Sequence, residues 1–305
     1  ITLNTPTQLA TTFNTSAGMA LGAYTFRCTI TNTYGLSTSD TVNMQLSLRP
    51  SVSITDTGPQ IIDETASRTA TITANDGTIS SQLWTWVSGP DQPNLSNATT
   101  TTVSFTPVTY TENPINRYVL RCTATSNYGL TGFNDIVVTA GHRPTISVGA
   151  DFVVATTESG VLTSSASPQD TGESLTYLWT KTSGPATTIN TPTQGSTTFT
   201  TNNIGTYIFR CTVTDALGFT AFDEVQVIIS DRPAVNVGAT AIAAISEVFS
   251  RTASATDDGS ITGYQWSWVA GPNQPVLSNA NTATVSFPPT TYTESPINRY
   301  ILRCT

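Results

Sequence analysis

The feature that most restricts the fold of this chain is a repeat of about 90 residues. The pattern Tyr-x-x-Arg-Cys-Thr begins at Tyr24, Tyr118, Tyr207 and Tyr300. Arg-Pro pairs at Arg49, Arg143 and Arg232 follow one another at intervals of 94 and 89 residues. A period of this length is typical of whole domains rather than of solenoid turns. We therefore expect four repeats, at residues 1–48, 49–142, 143–231 and 232–305.

The repeats alternate between two subtypes. The second and fourth share the longer segment Trp-x-Trp-Val-x-Gly-Pro-x-Gln-Pro-x-Leu-Ser-Asn-Ala, whereas the first and third share Asn-Thr-Pro-Thr-Gln. By this alignment the first repeat is the C-terminal half of a short-subtype domain, and the fourth is a long-subtype domain without its last strands. We expect the chain to be a window from a longer array.

Within each repeat, apolar and polar residues alternate as they do in a strand with one buried face. Tyr207, Phe209, Cys211 and Val213 alternate with polar or outward-facing positions, and this period of two predicts an inward apolar face. Similar runs predict further strands at residues 69–74, 101–105, 135–139 and 224–229. Several short strands per repeat, with a Trp on a central strand and a later Tyr–Cys strand, predict an all-β array of immunoglobulin-like sandwiches.

The third repeat also carries a family resemblance. Its segments Tyr177-Leu-Trp179-x4-Gly184-Pro and Gly205-Thr-Tyr207-x-Phe-Arg-Cys211 resemble the PKD-like (polycystic-kidney-disease-type) branch of immunoglobulin-like domains. Matching Trp and Gly residues recur along the chain at Trp84, Trp179, Trp266, Gly35, Gly129 and Gly218. The resemblance implies a multi-domain extracellular surface protein, in which such domains often serve as adhesive or spacer arrays.

Composition excludes several functional classes. Only 10% of the residues are charged and the formal net charge is −8, so the chain offers no cluster of Lys and Arg for nucleic acid. No apolar run approaches the ~18–20 residues that a membrane-spanning helix needs. The first residues also lack the charged start and apolar core of a signal peptide. No nucleophile elbow, phosphate-binding loop or catalytic triad is recognisable, so we do not expect an enzyme.

Each repeat has a single Cys on the predicted inward face of a strand. No disulfide can therefore form within one domain, and the cores of successive domains are too far apart for the geometry of a bridge. We expect free buried thiols, with pairing between chains as the alternative. A catalytic thiol is not expected, because His142 is the only histidine. The predicted structural core comprises Tyr24, Cys28, Trp84, Tyr118, Cys122, Trp179, Tyr207, Cys211, Trp266, Tyr300 and Cys304.

Charged residues recur at equivalent positions, which favours a structural task over one unique active site. Every arginine has a counterpart in another repeat, so we expect arginines to bridge to neighbouring carboxylates or to pack the junctions. Acidic loop residues precede the Trp strand at Asp76, Asp170, Asp257 and Asp258. We interpret them as turn residues. The alternative is a junction calcium site, which needs six to eight oxygen ligands. No other cofactor is predicted, and zinc is excluded for want of His and paired Cys.

Features that could contact a partner are concentrated in the long subtype. Trp86 and Trp268 follow the core Trp by two residues and either lengthen the buried face or lie exposed, where they could bind sugar. The segments 109–117 and 291–299, which end at Arg117 and Arg299, are candidate contact loops. Candidate glycosylation sites of the form Asn-x-Ser/Thr begin at Asn14, Asn94 and Asn97.

The Arg-Pro junctions leave almost no spacer between domains, and proline restricts the residue before it to extended geometry. We therefore expect the sandwiches to stack end to end in an extracellular or cell-surface location. The leading hypothesis is a structural component of a fibre, whose partners are neighbouring repeats or further chains of the same kind. The alternatives are an adhesin or glycan-binding array, and the spacer domains of a large secreted enzyme. Fold analogy alone does not choose among them.

Overall fold

The computed structural model describes residues 2–15, 19–109, 117–290 and 299–305. Within these ranges the chain forms twenty-four strands and no helix, so the all-β prediction is confirmed. The same part of the chain contains no helix that could cross a membrane.

Unit 1 comprises Ile1–Arg143 together with Pro168–Ser174 and Asp215–Phe219, and unit 2 comprises Pro144–Ser167, Leu175–Thr214 and Thr220–Thr305. The borders predicted between repeats remain predictions.

Each of the four repeats contains strands. The first repeat has β1 (Gly22–Thr31) and β2 (Ser37–Leu46). The second has β3 (Ser51–Thr55), β4 (Gln60–Ile61), β5 (Ala66–Thr73), β6 (Ile79–Ser88), β7 (Thr102–Phe105), β8 (Arg117–Ser126) and β9 (Thr131–Gly141). The third has β10 (Thr145–Ser147), β11 (Phe152–Ala155), β12 (Ser159–Thr163), β13 (Ser165–Ser167), β14 (Thr176–Ser183), β15 (Thr188–Ile189), β16 (Ser196–Thr200), β17 (Gly205–Thr214) and β18 (Thr220–Ser230). The fourth has β19 (Ala234–Asn236), β20 (Phe249–Thr252), β21 (Ser254–Thr256), β22 (Trp266–Ala270), β23 (Thr284–Phe287) and β24 (Ile301–Cys304).

The second repeat is a sandwich of two sheets. One has the strand order β3-β5-β7 and the other β4-β9-β8-β6. Along β8, Tyr118, Leu120, Cys122 and Ala124 are fully buried while the residues between them are partly exposed, as the period of two predicted. Their shared face packs against the inward side chains of β5 and β7 and forms one continuous core.

The third repeat has the same architecture. Its four-stranded sheet has the order β11-β18-β17-β14, and a second sheet has the order β12-β16-β15, with the short pair β10-β13 beside it. Trp179 on β14 lies directly opposite Cys211 on β17. The same Trp–Cys pairing recurs as Trp84 with Cys122 and as Trp266 with Cys304, so each core is organised around one indole and one thiol.

The placement of the Trp strand differs from the prediction. We expected the Trp on a central strand, but β6 and β14 each lie at the end of their sheet order within the described part of the chain. After β6 and after β14, the chain leaves this sheet and reaches β7 or β15 in the facing sheet. Trp84 and Trp179 are nevertheless 1% exposed, because their side chains point into the core and not toward the sheet edge.

The first repeat overturns one core assignment. Cys28 is exposed, although the alternation predicted an inward position. Apart from a bridge between Leu3 and Phe13, the only strands described before β3 are the antiparallel pair β1 and β2. No second sheet therefore covers Cys28 in this part of the chain, and Tyr24 is only half-buried. In the fourth repeat Cys304 is buried and Tyr300 is half-buried.

Candidate functional site

The most regular feature of the structure is a carboxylate that accepts a hydrogen bond from the backbone just before each Arg-Pro pair. The N–H of Leu48 donates to Asp76 Oδ2 at 3.3 Å and that of His142 to Asp170 Oδ2 at 2.8 Å. The N–H of Asp231 donates to Asp258 Oδ1 at 3.0 Å. Donor and acceptor are 28, 28 and 27 residues apart, and each pair lies within one compact unit. We call this arrangement the junction cap.

A second donor completes each junction cap. The Ser47 hydroxyl donates to Asp76, and the Ser230 hydroxyl donates to Asp258. The equivalent residue at the middle junction is Gly141, which has no hydroxyl. There His142 Nδ1 lies 2.7 Å from Asp170 Oδ1 and replaces the missing donor. A Cβ added to Gly141 would lie 2.5 Å from Asp170 Oδ2, so only glycine leaves room for this arrangement.

The surroundings of the three carboxylates differ. Asp170 is 3% exposed, whereas Asp76 is half-buried and Asp258 is exposed. Partial desolvation acts to raise the pKa of Asp258, but hydrogen bonds from the Ser230 hydroxyl and the Asp231 N–H outweigh it and hold this pKa below its usual value. A depressed carboxylate pKa stabilises the folded state above the unfolded pKa, and this contribution is lost as the pH falls. The cap of Asp258 therefore weakens in acid.

The arginines of the Arg-Pro pairs supply a second contact at two junctions. Arg143 Nε donates to Glu64 Oε1 at 3.3 Å, and Arg232 Nη2 donates to Glu158 Oε1. That hydrogen bond, together with the charge of Glu158, raises the pKa of Arg232. Arg49 instead donates from Nη1 to the carbonyl oxygen of Thr131 at 2.8 Å. The contact with a neighbouring carboxylate that we expect of the repeated arginines is present at Arg143 and Arg232, whereas Arg49 contacts a backbone carbonyl oxygen.

Two further arginines form ion pairs on the outer face of the four-stranded sheets. Arg121 Nε lies 2.7 Å from Asp135 Oδ1, and the guanidinium lies over the ring of Phe133. The ion pair raises the pKa of Arg121 and lowers that of Asp135. Arg210 has the same arrangement with Glu224 and Phe222.

Trp86 and Trp268 pack at one end of the core in their repeats. Both are half-buried, and their indole N–H groups donate to the carbonyl oxygens of Pro93 and Pro275 at 2.7 and 2.9 Å. The ring of Trp86 meets that of Phe105 edge-on at 5.1 Å. Of the predicted contact loops, residues 110–116 and 291–298 lie outside the described residues. Arg117 and Arg299, at the ends of these loops, are exposed.

The remaining predicted site residues are spread over separate surfaces. Asp257 Oδ2 accepts the N–H of Gly259, which is a turn contact, whereas Asp76, Asp170 and Asp258 serve the junction caps. In the described ranges no group of three or more acidic, His or Cys side chains has the geometry to hold a metal ion. Asn14, Asn94 and Asn97 are all exposed, and Asn97 has a left-handed backbone with φ of 60°.

The four thiols are unpaired and fall into two classes. Cys122, Cys211 and Cys304 are buried, and Cys28 is exposed. Burial raises the pKa of Cys122 from 9.0 to about 11 and also raises the pKa values of Cys211 and Cys304. A raised thiol pKa stabilises the folded state below the unfolded value, and this contribution is lost as the pH rises through the folded value.

We expect only Cys28 to react rapidly with a thiol reagent in the native chain at pH 8. A buried thiol with a pKa of about 11 is only about 0.1% thiolate at this pH, and its sulfur is covered as well. Timed alkylation followed by mass spectrometry measures the reaction, with the other three thiols reacting only after denaturant is added. Cys28→Ser should remove the fast phase, and two fast thiols in the native chain would contradict the assignment.

The core of the third repeat, with its Trp–Cys pair, coincides with a family match. Residues 148–229 match the family model described as K319L-like, PKD domain. The third repeat is therefore similar to PKD domains. The solved structure of the PKD domain from KIAA 1837 protein is 26% identical and covers 28% of this chain and 83% of that chain, with a TM-score of 0.24.

Two other solved structures are similar to the chain. The fibronectin(III)-like modules of Clostridium thermocellum CbhA are 15% identical and cover 58% of this chain and 93% of that chain, with a TM-score of 0.36. Extracellular cadherin domains 3–6 of protocadherin gamma B2 are 12% identical and cover 92% of this chain and 79% of that chain, with a TM-score of 0.32. A comparison with curated proteins found no match. The PKD-like character therefore rests on the family match and the core of the third repeat.

Sequence reasoning identified the junction carboxylates but missed their role. The sequence predicts turns, or alternatively a calcium site, for Asp76, Asp170 and Asp258, and this prediction leaves out the donors at Ser47 and Ser230. The sequence does contain a signal for these contacts. A small residue recurs two positions before each Arg-Pro pair, and an acidic residue recurs 27–28 positions after the residue whose N–H is capped. A constant spacing of this kind between a donor and a carboxylate predicts a fixed contact.

Proposed function

We propose that this protein is a structural component of an extracellular fibre built from tandem β-sandwich repeats. The observation that supports the proposal is the junction cap, which recurs at all three Arg-Pro pairs with nearly constant spacing. An enzyme or a single-ligand receptor needs one unique site. A fibre needs the same connection at every junction.

The chemistry of the junction cap favours stiffness. A carboxylate that accepts two hydrogen bonds fixes both the backbone and a side chain of the segment that leads into the Arg-Pro pair. The following proline restricts the residue before it to extended geometry, so the chain has little freedom at the Arg-Pro pair. At two junctions the Arg–Glu pair adds a third contact. Flexible arrays instead join their domains by Gly- and Ser-rich linkers.

Removal of the three caps tests the proposal. In the variant Asp76→Ala, Asp170→Ala, Asp258→Ala, we expect the repeats to stay folded while the particle becomes more flexible. Small-angle X-ray scattering should then show a smaller average radius of gyration than for the unchanged chain. Asp40→Ala is the matched control, because this exposed carboxylate accepts only the N–H of the next residue, Thr41, in the described structure. An unchanged chain that already scatters as flexible beads would refute the proposal.

The adhesin alternative rests on Trp86, Trp268 and the loop at residues 109–117, and residues 110–116 of that loop lie outside the described residues. Because the rings of Trp86 and Trp268 pack against the core and their N–H groups are bonded to Pro93 and Pro275, they offer little free surface to a sugar. A glycan screen tests this alternative directly. Binding that is lost with Trp86→Ala would favour adhesion over a purely structural role.

A further inference from the structure

The outer face of the four-stranded sheet carries the same exposed pattern in the second and third repeats. In the third repeat, Leu178 and Phe222 are 49% and 58% exposed on this face. In the second repeat, Leu83 and Phe133 occupy the matching positions and are 48% and 57% exposed. Isolated exposed apolar residues are common on protein surfaces, but a pattern repeated at equivalent positions of two domains needs an explanation.

The strand register arranges these residues in rows across the sheet. In the third repeat one row contains Leu178 on β14, Thr212 on β17 and Phe222 on β18. In the next row Arg210 lies opposite Glu224. A small Thr therefore separates two large apolar side chains, and this leaves a gap between Leu178 and Phe222. The second repeat has the same two rows, with Thr123 between Leu83 and Phe133 and with Arg121 opposite Asp135.

The first repeat lacks this pattern. Arg27 lies opposite Thr41 rather than an acidic residue, and Thr29 lies opposite Ser39 where the other repeats have Phe. The pattern is therefore not required for the β-strands to pair. Its presence in the second and third repeats indicates a separate role, and Ser39 supplies a natural replacement for the two phenylalanines.

We propose that this outer face docks onto the same face of a second chain, related by a two-fold axis that runs parallel to β17 and β18 and between them. Such an axis places β17 of one chain over β18 of the other. Arg210 then faces Glu224 of the second chain in both directions. Phe222 of the second chain enters the gap above Thr212, so that Leu178 and Phe222 of the two chains interleave in one row.

Charge argues for a second chain as the occupant. The whole chain has a formal charge of −8, so two chains repel one another over most of their surfaces. Of the two rows in each repeat, one is uncharged and the other contains one cation and one anion, and the two-fold axis sets these unlike charges opposite one another. Sheets that pack face to face keep their strands within about 30° of parallel, which agrees with an axis along the strands. A two-fold interface must be self-complementary, and the two rows meet this condition when the axis lies between β17 and β18.

The area of the face indicates that many such contacts act together. Three strands of about ten residues cover roughly 500 Å², so two facing sheets bury about 1,000 Å² in total. Stable interfaces usually bury about 1,200–2,000 Å², so that one pair of faces binds weakly. Regularly spaced faces along a fibre would bind tightly through multivalency. This tight lateral binding rests on the proposed fibre. The lateral partner of the fibre is then a second copy of this chain.

The decisive experiment uses two charge-reversed forms of the full chain. One form carries Arg121→Glu and Arg210→Glu, and the other carries Asp135→Arg and Glu224→Arg. Each form alone is expected to remain monomeric in sedimentation velocity at concentrations where the unchanged chain associates, because like charges then meet across the axis. An equimolar mixture is expected to restore association by at least tenfold. Both forms stay net negative, since each pair of substitutions changes the formal charge of −8 by only four.

Apolar substitutions supply the matched control. In the chain that keeps its native charged residues, the double substitution Phe133→Ser and Phe222→Ser should abolish association. Val248→Ser with Val276→Ser removes exposed apolar side chains elsewhere and should leave association unchanged. All of these positions are exposed or lie in exposed ion pairs, so the repeats should still fold.

The outcomes separate this inference from the proposed function. A mixture of the two charge-reversed forms that stays monomeric would overturn the docking, as would association that survives the loss of both phenylalanines. Single stiff filaments without lateral contacts in micrographs of the native material would refute the docking alone. Lateral association between chains that scatter as flexible beads would support the docking and refute the fibre.

Discussion

Trp179→Ala is expected to destabilise the third repeat by about 3–5 kcal/mol, the usual cost of removing a large buried aromatic side chain. Trp179 is 1% exposed and lies opposite Cys211 at the centre of the core. Its removal leaves a cavity that the rigid neighbouring strands cannot fill. Denaturant titration should show an early transition, and hydrogen exchange should place that transition in peptides that cover β14 and β17.

A milder substitution separates packing from hydrogen bonding at this position. The indole N–H of Trp84 donates to the carbonyl oxygen of Thr100 at 2.9 Å, whereas that of Trp179 has no hydrogen-bond partner among the described residues. Trp84→Phe should therefore cost about 1 kcal/mol more in its repeat than Trp179→Phe does in the third. Equal losses in the free energy of unfolding for the two variants would show that the Trp84 hydrogen bond makes no net contribution to stability.

Arg68→Ala is expected to destabilise the second repeat by about 3–5 kcal/mol, because it leaves three part-buried acceptors without their donor, at about 1–3 kcal/mol for each one that water cannot reach. The Arg68 side chain is 0% exposed. Its Nη1 donates to Thr57 Oγ1 at 2.6 Å and to the carbonyl oxygen of Ser67, and its Nη2 donates to the carbonyl oxygen of Gly58 at 2.8 Å. Burial lowers the pKa of Arg68, an effect that Asp56 partly offsets, yet arginine stays charged. Its loss leaves these acceptors without a donor.

The fourth repeat supplies the matched control for this prediction. Arg251 occupies the equivalent position, is only half-buried and donates to the carbonyl oxygen of Ala239. Arg251→Ala should cost no more than about 1 kcal/mol, since water can reach the acceptor that it leaves. Thermal unfolding of both variants tests the difference. If Arg68→Ala were as mild as Arg251→Ala, the buried arginine would contribute no net stability.

Much of the fold could be predicted from single strands. The alternation of Tyr207, Phe209 and Cys211 with outward residues predicted a buried face, and all three are fully buried in β17. The expected strands at residues 135–139 and 224–229 lie within β9 and β18. These predictions succeeded because burial of one face of a strand is a local property of the pattern.

The candidate site was predictable in its residues but not in its contacts. The repeated carboxylates and arginines stand out in the sequence, and the recurrence of the arginines favours a structural task for them. Their partners do not stand out, because Arg143 reaches Glu64 across 79 residues and Arg232 reaches Glu158 across 74. The exposure of Cys28 was likewise not predictable from the sequence. Its pattern is that of Cys211, and only the absence of a facing sheet in the described first repeat exposes it.

The sequence by itself determined the repeat, the strand pattern and the class of fold, because spacing and alternation along the chain record which side of each strand avoids water. Only the tertiary structure decided which donor each junction carboxylate binds, that His142 replaces a missing serine hydroxyl, and that Leu178 and Phe222 share a row. These contacts join residues that are distant in sequence, and they depend on strand register and on close packing at Gly141. No local pattern specifies either of these.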